Sequence, residues 1–263
     1  MGKKNNIQPK LKSMRPSVRR AGIHEYVERR GRAAVEDIAE KFGASVETVR
    51  RDLNLLAEQG RIRKVHGGAV SLGGEGEGAF DERLAKNAQA KREVAEKLAR
   101  MVQPGETILM DTGSTTLFCA EALARIRDLT VITNSLRIAH VIAGAGSGSK
   151  AVLLGGTYRV GNDQTYGPRA CAEIAEYRPD HVVLTVSALD ATGAFDADHE
   201  EAELARSMAR HARNLSLVLD HSKLNRTAAY RICDLTQVRH VFLNHEPDPD
   251  LLAALRAAKV SVH

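Results

Sequence analysis

The chain of 263 residues has no tryptophan, and its aromatic residues amount to 4%. So few rings argue against a protein that grips nucleic acid by stacking bases on aromatic platforms. Cysteine is scarce as well: Cys119, Cys171 and Cys233 are odd in number, widely spaced and form no CxxC pair. That pattern excludes a disulfide framework and a cysteine-ligated zinc cluster, and it fits a reducing cytoplasm. No metal and no cofactor are expected. No stretch approaches the roughly 18 consecutive apolar residues that a membrane span needs, so no membrane partner is expected. The basic start, residues 1–20, is followed by no apolar segment, so no secretory signal is expected. Asn6 stands where a myristoylation site wants Ser or Thr, which argues against a lipid anchor.

What is there is ordinary in amount and uneven in distribution. Hydrophobic residues make up 43% and charged residues 27% of the chain. This suits a folded protein with one good-sized core or two unequal ones. The formal net charge is +5, but residues 1–72 carry 16 Lys/Arg against 8 Asp/Glu, net +8. Residues 73–263 carry 22 against 25, net −3. A basic head on a mildly acidic body points to a polyanion-binding segment joined to a part with another task. A basic tail that only aids solubility is the alternative.

Residues 1–16 are polar, lysine-rich and aperiodic, and read as a disordered basic tail. From Ser17 to Arg30, Ile23 and Val27 share one helical face, and Gly31 ends the run. Val35, Ile38, Ala39 and Phe42 then recur at the spacing of a short amphipathic helix, which Gly43-Ala44-Ser45 breaks. Ser45 is suited to cap a third helix whose apolar residues are Val46, Val49, Leu53 and Leu56, with Gly60 beyond its end. Two short helices joined by a tight glycine turn, the second basic, form a helix-turn-helix. Residues 61–66 alternate polar and apolar as a strand does, and Gly67-Gly68 turns the chain back toward Ala69-Val70, giving a β-wing. A winged helix-turn-helix domain is therefore expected over 17–72. The run GGEGEG at 73–78 has no side chains able to bury surface, and a linker is expected over 73–88.

The body, 89–263, is expected to be an α/β domain. Strand-like runs at 107–111, 130–133, 151–156, 181–187, 215–220 and 240–244 alternate with helical stretches at 89–103, 115–126, 135–144, 168–176, 199–213 and 249–258. Continuous apolar strands alternating with helices imply a mostly parallel sheet covered on both faces. No internal repeat is present.

Off its apolar stripe the third helix carries Glu47, Thr48, Arg50, Arg51 and Asn54. A recognition helix needs long cationic and amide side chains that reach base edges, while neighbouring cations neutralise phosphates. Ser45, Thr48, Arg50 and Arg51 are the expected contacts on the helix. Arg63, Lys64 and His66 on the wing are expected to meet the backbone or the minor groove. Arginines that merely form a solvated face paired with Glu47 and Asp52 are the alternative. Asp52 is assigned to structure, because an acid facing phosphate would repel it.

The run SVETVRRDLNLLAEQGRIRKVHGGAV, 45–70, closely resembles the N-terminal signature of DeoR-family bacterial transcriptional regulators, and the resemblance continues from about Arg19 to Val262. It implies a sensor domain similar to sugar-phosphate isomerases such as ribose-5-phosphate isomerase, and a phosphorylated sugar or related metabolite as effector.

In the body, the loop Asp111-Thr112-Gly113-Ser114-Thr115-Thr116 follows the first strand and opens a helix, offering backbone N–H groups, hydroxyls and a positive dipole end to a phosphate. Thr133-Asn134-Ser135 and Gly155-Gly156 follow the next two strands. In an open parallel sheet such loops converge beyond the carboxyl ends of the strands. The resemblance carries effector contacts onto Asp111, Gly113, Ser114, Thr115, Thr116, Asn134, Ser135, Gly155, Gly156 and Gly167, and onto Asp190, Glu201 and Lys223. Each of the last three has an ordinary surface ion pair as its alternative. One departure stands out: Ala205 occupies a position where the family often has Lys. This leaves the effector's charge open; Arg206 offers a cation from a different direction, and His199 reads as a surface residue.

The expected function is that of a repressor of sugar or polyol catabolism genes that binds double-stranded operator DNA as a homo-oligomer, dimer or tetramer. Its place is the bacterial cytoplasm, on the nucleoid when bound to DNA. Two other classes stay open on the residues alone. An isomerase would use Asp, Glu and Lys to move a proton between adjacent carbons, but SALDATG carries a single acid where such isomerases have a DGADE-type cluster. A DNA-compacting protein would need no effector, and the Gly/Ser/Thr loops speak against it.

Overall fold

The computed structural model describes residues 14–30, 32–59, 61–65, 67–70 and 80–263, the side chains of residues 28–30, 32 and 63 apart. Most of the expected basic tail, the GGEGEG run and His66 lie outside the described residues. Packing divides the chain into two units, residues 1–76 and residues 77–263.

The first unit runs α1 (Pro16–Arg30), β1 (Arg32–Ala34), α2 (Val35–Phe42), α3 (Val46–Glu58), β2 (Arg63–Val65) and β3 (Gly68–Val70). Ile23 and Val27 of α1, Ile38 of α2, and Val49, Leu53 and Leu56 of α3 close one small core. The turn between α2 and α3 depends on Gly43, whose φ of 57° lets its N–H cap the carbonyls of Ala39 and Glu40, a conformation costly for any residue with a Cβ. Ser45 caps α3, its Oγ accepting from the Thr48 N–H at 3.2 Å. The expected wing is present, but β3 also pairs antiparallel with β1, which the sequence did not announce. That pairing is close: a Cβ on Gly68 would stand 2.2 Å from the Ala33 carbonyl oxygen. Asp52 is buried and faces inward, 2.7 Å from Arg19 Nε and 3.6 Å from Arg20. It is structural, as expected.

The second unit begins with α4 (Phe80–Ala85), α5 (Ala88–Ala99), β4 (Thr107–Met110), α6 (Ser114–Leu123), β5 (Thr130–Thr133), α7 (Leu136–Gly144) and β6 (Lys150–Leu153). A hairpin of β7 (Thr157–Arg159) and β8 (Gln164–Tyr166) follows, then α8 (Pro168–Ile174), β9 (His181–Leu184), β10 (Ala188–Asp190), β11 (Gly193–Asp196) and α9 (His199–Arg210). The chain closes with β12 (Leu215–Val218), β13 (Tyr230–Cys233), β14 (His240–Phe242), α10 (Pro249–Ala257) and β15 (Ser261–Val262).

Seven strands form one parallel sheet in the order β15-β14-β12-β9-β4-β5-β6. Successive residues of a strand feed opposite cores: Leu109, Val182 and Leu217 enter one, Ile108, Val183 and Val218 the other. Burial on both faces is why these strands read as unbroken apolar runs. The order reverses between β4 and β9, since β5 and β6 extend one way and β9, β12, β14 and β15 the other. Such a switch point splays the loops that follow the two strands and opens a crevice.

Three expectations need correction. The run 151–156 is not one strand: β6 ends at Leu153, and Gly155-Gly156 turns the chain into the β7–β8 hairpin. A second, antiparallel sheet of β10, β11 and β13 was not foreseen. The stretch 80–88, read as the end of a linker, belongs to the second unit, because Phe80 of α4 is buried in its core.

Candidate functional site

The crevice at the switch point is built first by Asp111, which follows β4. Its carboxylate accepts the Thr185 N–H at 3.1–3.2 Å and so ties the end of β4 to the end of β9. Gly113 lies in extended backbone, and a Cβ there would stand 2.2 Å from Thr185 Cγ2. A larger residue here would force the Thr185 side chain to move. Ser114, Thr115 and Thr116 form the first turn of α6 and are buried, and no side chain caps that helix. Asn134, after β5, donates from Nδ2 to Gln164 Oε1 at 3.1 Å and to the Thr165 carbonyl at 3.0 Å. Gln164 Nε2 and Asn162 Nδ2 of the hairpin each donate to Glu201 Oε1 at 2.6 Å. Asp196, at the end of β11, accepts from the Ala197 N–H at 2.6 Å and from Ser187 Oγ at 3.2 Å.

These groups surround a cavity of about 20 Å³, room for one water. Asp111, Asp196 and Glu201 line it together, with Arg83 of α4 as the cation among the lining residues. Burial drives the Asp111 carboxyl well above its ordinary range, with Asp196 and Glu201 adding to the rise against the Thr185 N–H. Asp196 is pushed up to about 7, by burial first and by Glu201 next. Glu201 is raised by burial and Asp198, against Arg83 and Arg159. Thr112 Oγ1 and Asn134 Oδ1 are buried at the cavity and have no hydrogen-bond partner among the described residues. Buried polar atoms are rarely left so, and both can bond a polar ligand.

Of the expected effector contacts, Asp111, Asn134 and Glu201 line this cavity, and Gly113, Ser114, Thr115 and Thr116 form the adjoining start of α6. Ser135 is occupied as the cap of α7, accepting the Ile138 N–H at 3.3 Å. Gly155 donates its N–H to Glu173 Oε2 at 2.8 Å. Gly156 (φ 138°) lets the chain pass the Tyr166 carbonyl, and Gly167 (φ 97°) precedes α8. These glycines shape turns and do not line the cavity.

Asp190 is spent in the β10–β11 turn, accepting from the Thr192 N–H and hydroxyl at 2.7 and 2.6 Å. Lys223 sits in a short turn after β12, outside the cavity lining, where burial and Arg226 lower it to about 8. Arg206 does not replace a lysine at Ala205, since it turns away to the Arg231 carbonyl at 2.7 Å. His199 is exposed, against the Tyr230 ring. SALDATG supplies no acid to the cavity, whose three acids, Asp111, Asp196 and Glu201, come from three separate segments. Sequence reasoning missed Arg83, Gln164, Thr185, Ser187 and Asp196. The one available signal was the acidic run DADHEE that holds Asp196 and Glu201.

On the first unit, Arg50, Arg51 and Asn54 project from the solvent face of α3. With Lys64 of the wing they flank a groove of about 450 Å³ between helix and hairpin. Lys64 Nζ donates to Asn54 Oδ1. Arg51 Nε lies 3.5 Å from Glu47 Oε1, both side chains mostly exposed. A pair this wet is weak and leaves the arginine available to phosphate or a base edge. The Ser45 and Thr48 hydroxyls bond each other at 2.8 Å at the start of α3. Arg63 contributes its backbone to β2.

A winged helix-turn-helix with an open basic recognition face, followed by a parallel α/β unit with a polar crevice at its switch point, defines a two-part transcriptional regulator. Residues 19–73 match the DeoR-like helix-turn-helix domain and residues 86–245 the DeoR C terminal sensor domain. The chain belongs to the DeoR family. It is 34% identical to the HTH-type transcriptional repressor CsqR of Escherichia coli (strain K12), over 89% of this chain and 89% of that one. It is 30% identical to the Glycerol-3-phosphate regulon repressor of the same organism, over 92% of this chain and 96% of the other. Ribose 5-phosphate isomerase A from Methanocaldococcus jannaschii is similar in structure, with a TM-score of 0.40 and 19% identity over 53% of this chain and 55% of that one. Like these relatives in sequence, the chain is a DNA-binding regulator of transcription and not an enzyme. Among the described residues no helix is long and apolar enough to cross a membrane, and no three His, Cys, Asp or Glu side chains are grouped to hold a metal ion.

Proposed function

We propose that the chain represses genes of sugar or polyol catabolism, binding operator DNA as a homo-oligomer through α3 and the wing. A phosphorylated sugar or polyol in the crevice changes its operator affinity. The observation that carries this reading is the pair of partnerless buried acceptors, Thr112 Oγ1 and Asn134 Oδ1, facing a cavity that adjoins the uncapped start of α6. Backbone N–H groups and the positive end of α6 suit a phosphate. Asp111, Asp196 and Glu201, on the other walls, suit donor hydroxyls of a polyol chain. A charged phosphate and a row of hydroxyls match the two chemistries of this cavity better than either a bare sugar or a bare anion. Because the cavity holds about one water, such a ligand needs its walls to move, and a site that changes shape on filling can report occupancy.

The test is a thermal-shift panel on the full chain with glycerol 3-phosphate, ribose 5-phosphate and hexose 6-phosphates beside their unphosphorylated forms. Operator fragments selected from a random DNA pool are then titrated with and without each stabilising compound. A phosphorylated compound is expected to raise the melting temperature by mass action and to shift operator affinity, while its unphosphorylated form does neither. A chain that binds DNA but responds to no member of the panel overturns the effector half of this reading.

A further inference from the structure

Resting on that reading, we infer that the effector is a phosphorylated amino sugar, whose ammonium group occupies the acid-lined wall of the crevice while its phosphate takes the start of α6. The first support is a count of donors and acceptors at the cavity. The side-chain donors of Gln164, Ser187 and Asn134 are already engaged. Gln164 Nε2 donates to Glu201, Ser187 Oγ to Asp196, and Asn134 Nδ2 to Gln164 and the Thr165 carbonyl. Acceptors remain. Asn162 and Gln164 both reach Glu201 at Oε1, and Arg159 stands 3.5 Å from the same atom. The Ser187 hydroxyl and the Ala197 and Asp198 N–H groups all reach Asp196 at Oδ1. The second oxygen of each carboxyl thus takes no hydrogen bond from the described residues. Neither does Asn134 Oδ1, although its residue is only 1% exposed.

A hydroxyl answers such a wall only in part, since it brings one donor and two lone pairs that need donors in turn. An ammonium brings three donors and no acceptor. It also brings charge. Asp111, Asp196 and Glu201 line one cavity with Arg83 as the cation among them, and Leu204 and Ala205, which complete the wall of α9, carry none. Burial first, and repulsion between neighbouring acids next, hold protons on these carboxyls, the ordinary outcome where acids crowd a site poor in cations. A ligand cation favours their ionised form, and its hydrogen bonds are then charged on both sides, which makes them the strong kind. A sugar phosphate without nitrogen would only press more negative charge on the same acids. The crevice therefore has two ends of different sign. The start of α6 presents N–H groups that no side chain caps and a positive dipole end, whereas Asp196 and Glu201 present acceptors. A compound with a phosphate at one end and an ammonium toward the other satisfies both, and hexosamine 6-phosphates have that form.

The experiment is calorimetry on the full chain with glucosamine 6-phosphate and galactosamine 6-phosphate beside glucose 6-phosphate and galactose 6-phosphate. The N-acetylated hexosamine 6-phosphates complete the panel, because they keep the nitrogen in place and lose its charge. At least one hexosamine 6-phosphate is expected to bind about 10- to 100-fold more tightly than its matching hexose 6-phosphate, and its acetylated form no better than the hexose. Asp196→Asn and Glu201→Gln each keep an oxygen for the protein donors now bonded there and remove one charge. Each is expected to shrink the ratio of hexosamine to hexose affinity by about tenfold. A merely structural role for these acids would weaken both compounds alike and leave the ratio where it was. If the hexose or N-acetylated 6-phosphates bind as tightly as the hexosamines, or the ratio survives both substitutions, this inference falls while the function above stands. A wild type that binds no phosphorylated compound of any kind overturns both.

Discussion

Asp196 shows how a single carboxyl at the crevice sets a pH dependence for the whole fold. Burial and the adjacent Glu201 hold its proton up to about 7, against about 4 for the same group in an unfolded chain. A group that binds its proton more tightly when folded adds stability that is fully present below the unfolded value, is lost as pH rises toward 7, and stays lost above it. A difference of about three pH units, at about 1.4 kcal/mol for each, makes the ionised form cost at most on the order of a few kcal/mol. Asp196→Asn keeps an oxygen for the Ala197 and Asp198 N–H groups and removes the charge. Its melting temperature is expected to exceed that of the wild type at pH 8, with the advantage fading near pH 4. An equal gain at both pH values would exclude charge as the cause. Asp52 illustrates the opposite case, an inward acid satisfied by Arg19 and Arg20. Asp52→Ala leaves those cations without their partner and is expected to cost about 1–3 kcal/mol, read as a lower denaturant midpoint for the first unit.

On the proposed reading helix α3 and the wing divide DNA recognition between them, and that division is measurable. Arg51 projects near the start of α3, so Arg51→Ala is expected to weaken the selected operator by about 1–3 kcal/mol and to relax preference at one base pair. Lys64, on β2 at the edge of the groove, is expected to act on phosphate. Lys64→Ala should weaken all sequences alike and lower the slope of log affinity against log salt by about 0.9. Uniform loss for Arg51→Ala would make it a phosphate contact as well. How much of this was legible in the sequence differs by element. The α3 face was readable because helical period, Ser45 and the flanking glycines agree. The strands of the parallel sheet were readable because burial on two faces makes them continuous apolar runs. The strand β1 was not, since Arg32–Ala34 has neither length nor alternation and pairs only because Gly68 lets β3 approach. The β7–β8 hairpin and the β10–β11–β13 sheet were hidden because their short strands carry polar residues such as Arg159, Gln164, Asp190, Asp196 and Arg231 where the parallel sheet has continuous apolar runs. The crevice was legible at Asp111 and Asn134, which follow strands of the sheet. Arg83 and Asp196 reach it through tertiary packing alone, and no local pattern marks them.

Two units with separate cores make regulation a problem of linkage. On the proposed reading, in which DNA binds the head and the effector the crevice, each can influence the other only by favouring one state of the chain over another. The coupling is then a free energy shared by both ligands, and it is reciprocal. If a saturating effector changes the operator Kd by some factor, saturating operator must change the effector Kd by the same factor. The prediction is checked by titrating effector with and without a DNA duplex carrying one operator, at one salt concentration, because operator affinity falls steeply with salt. Equal factors are expected. Unequal factors would mean that the effector also changes the number of chains on the operator, and the coupling would then run through assembly.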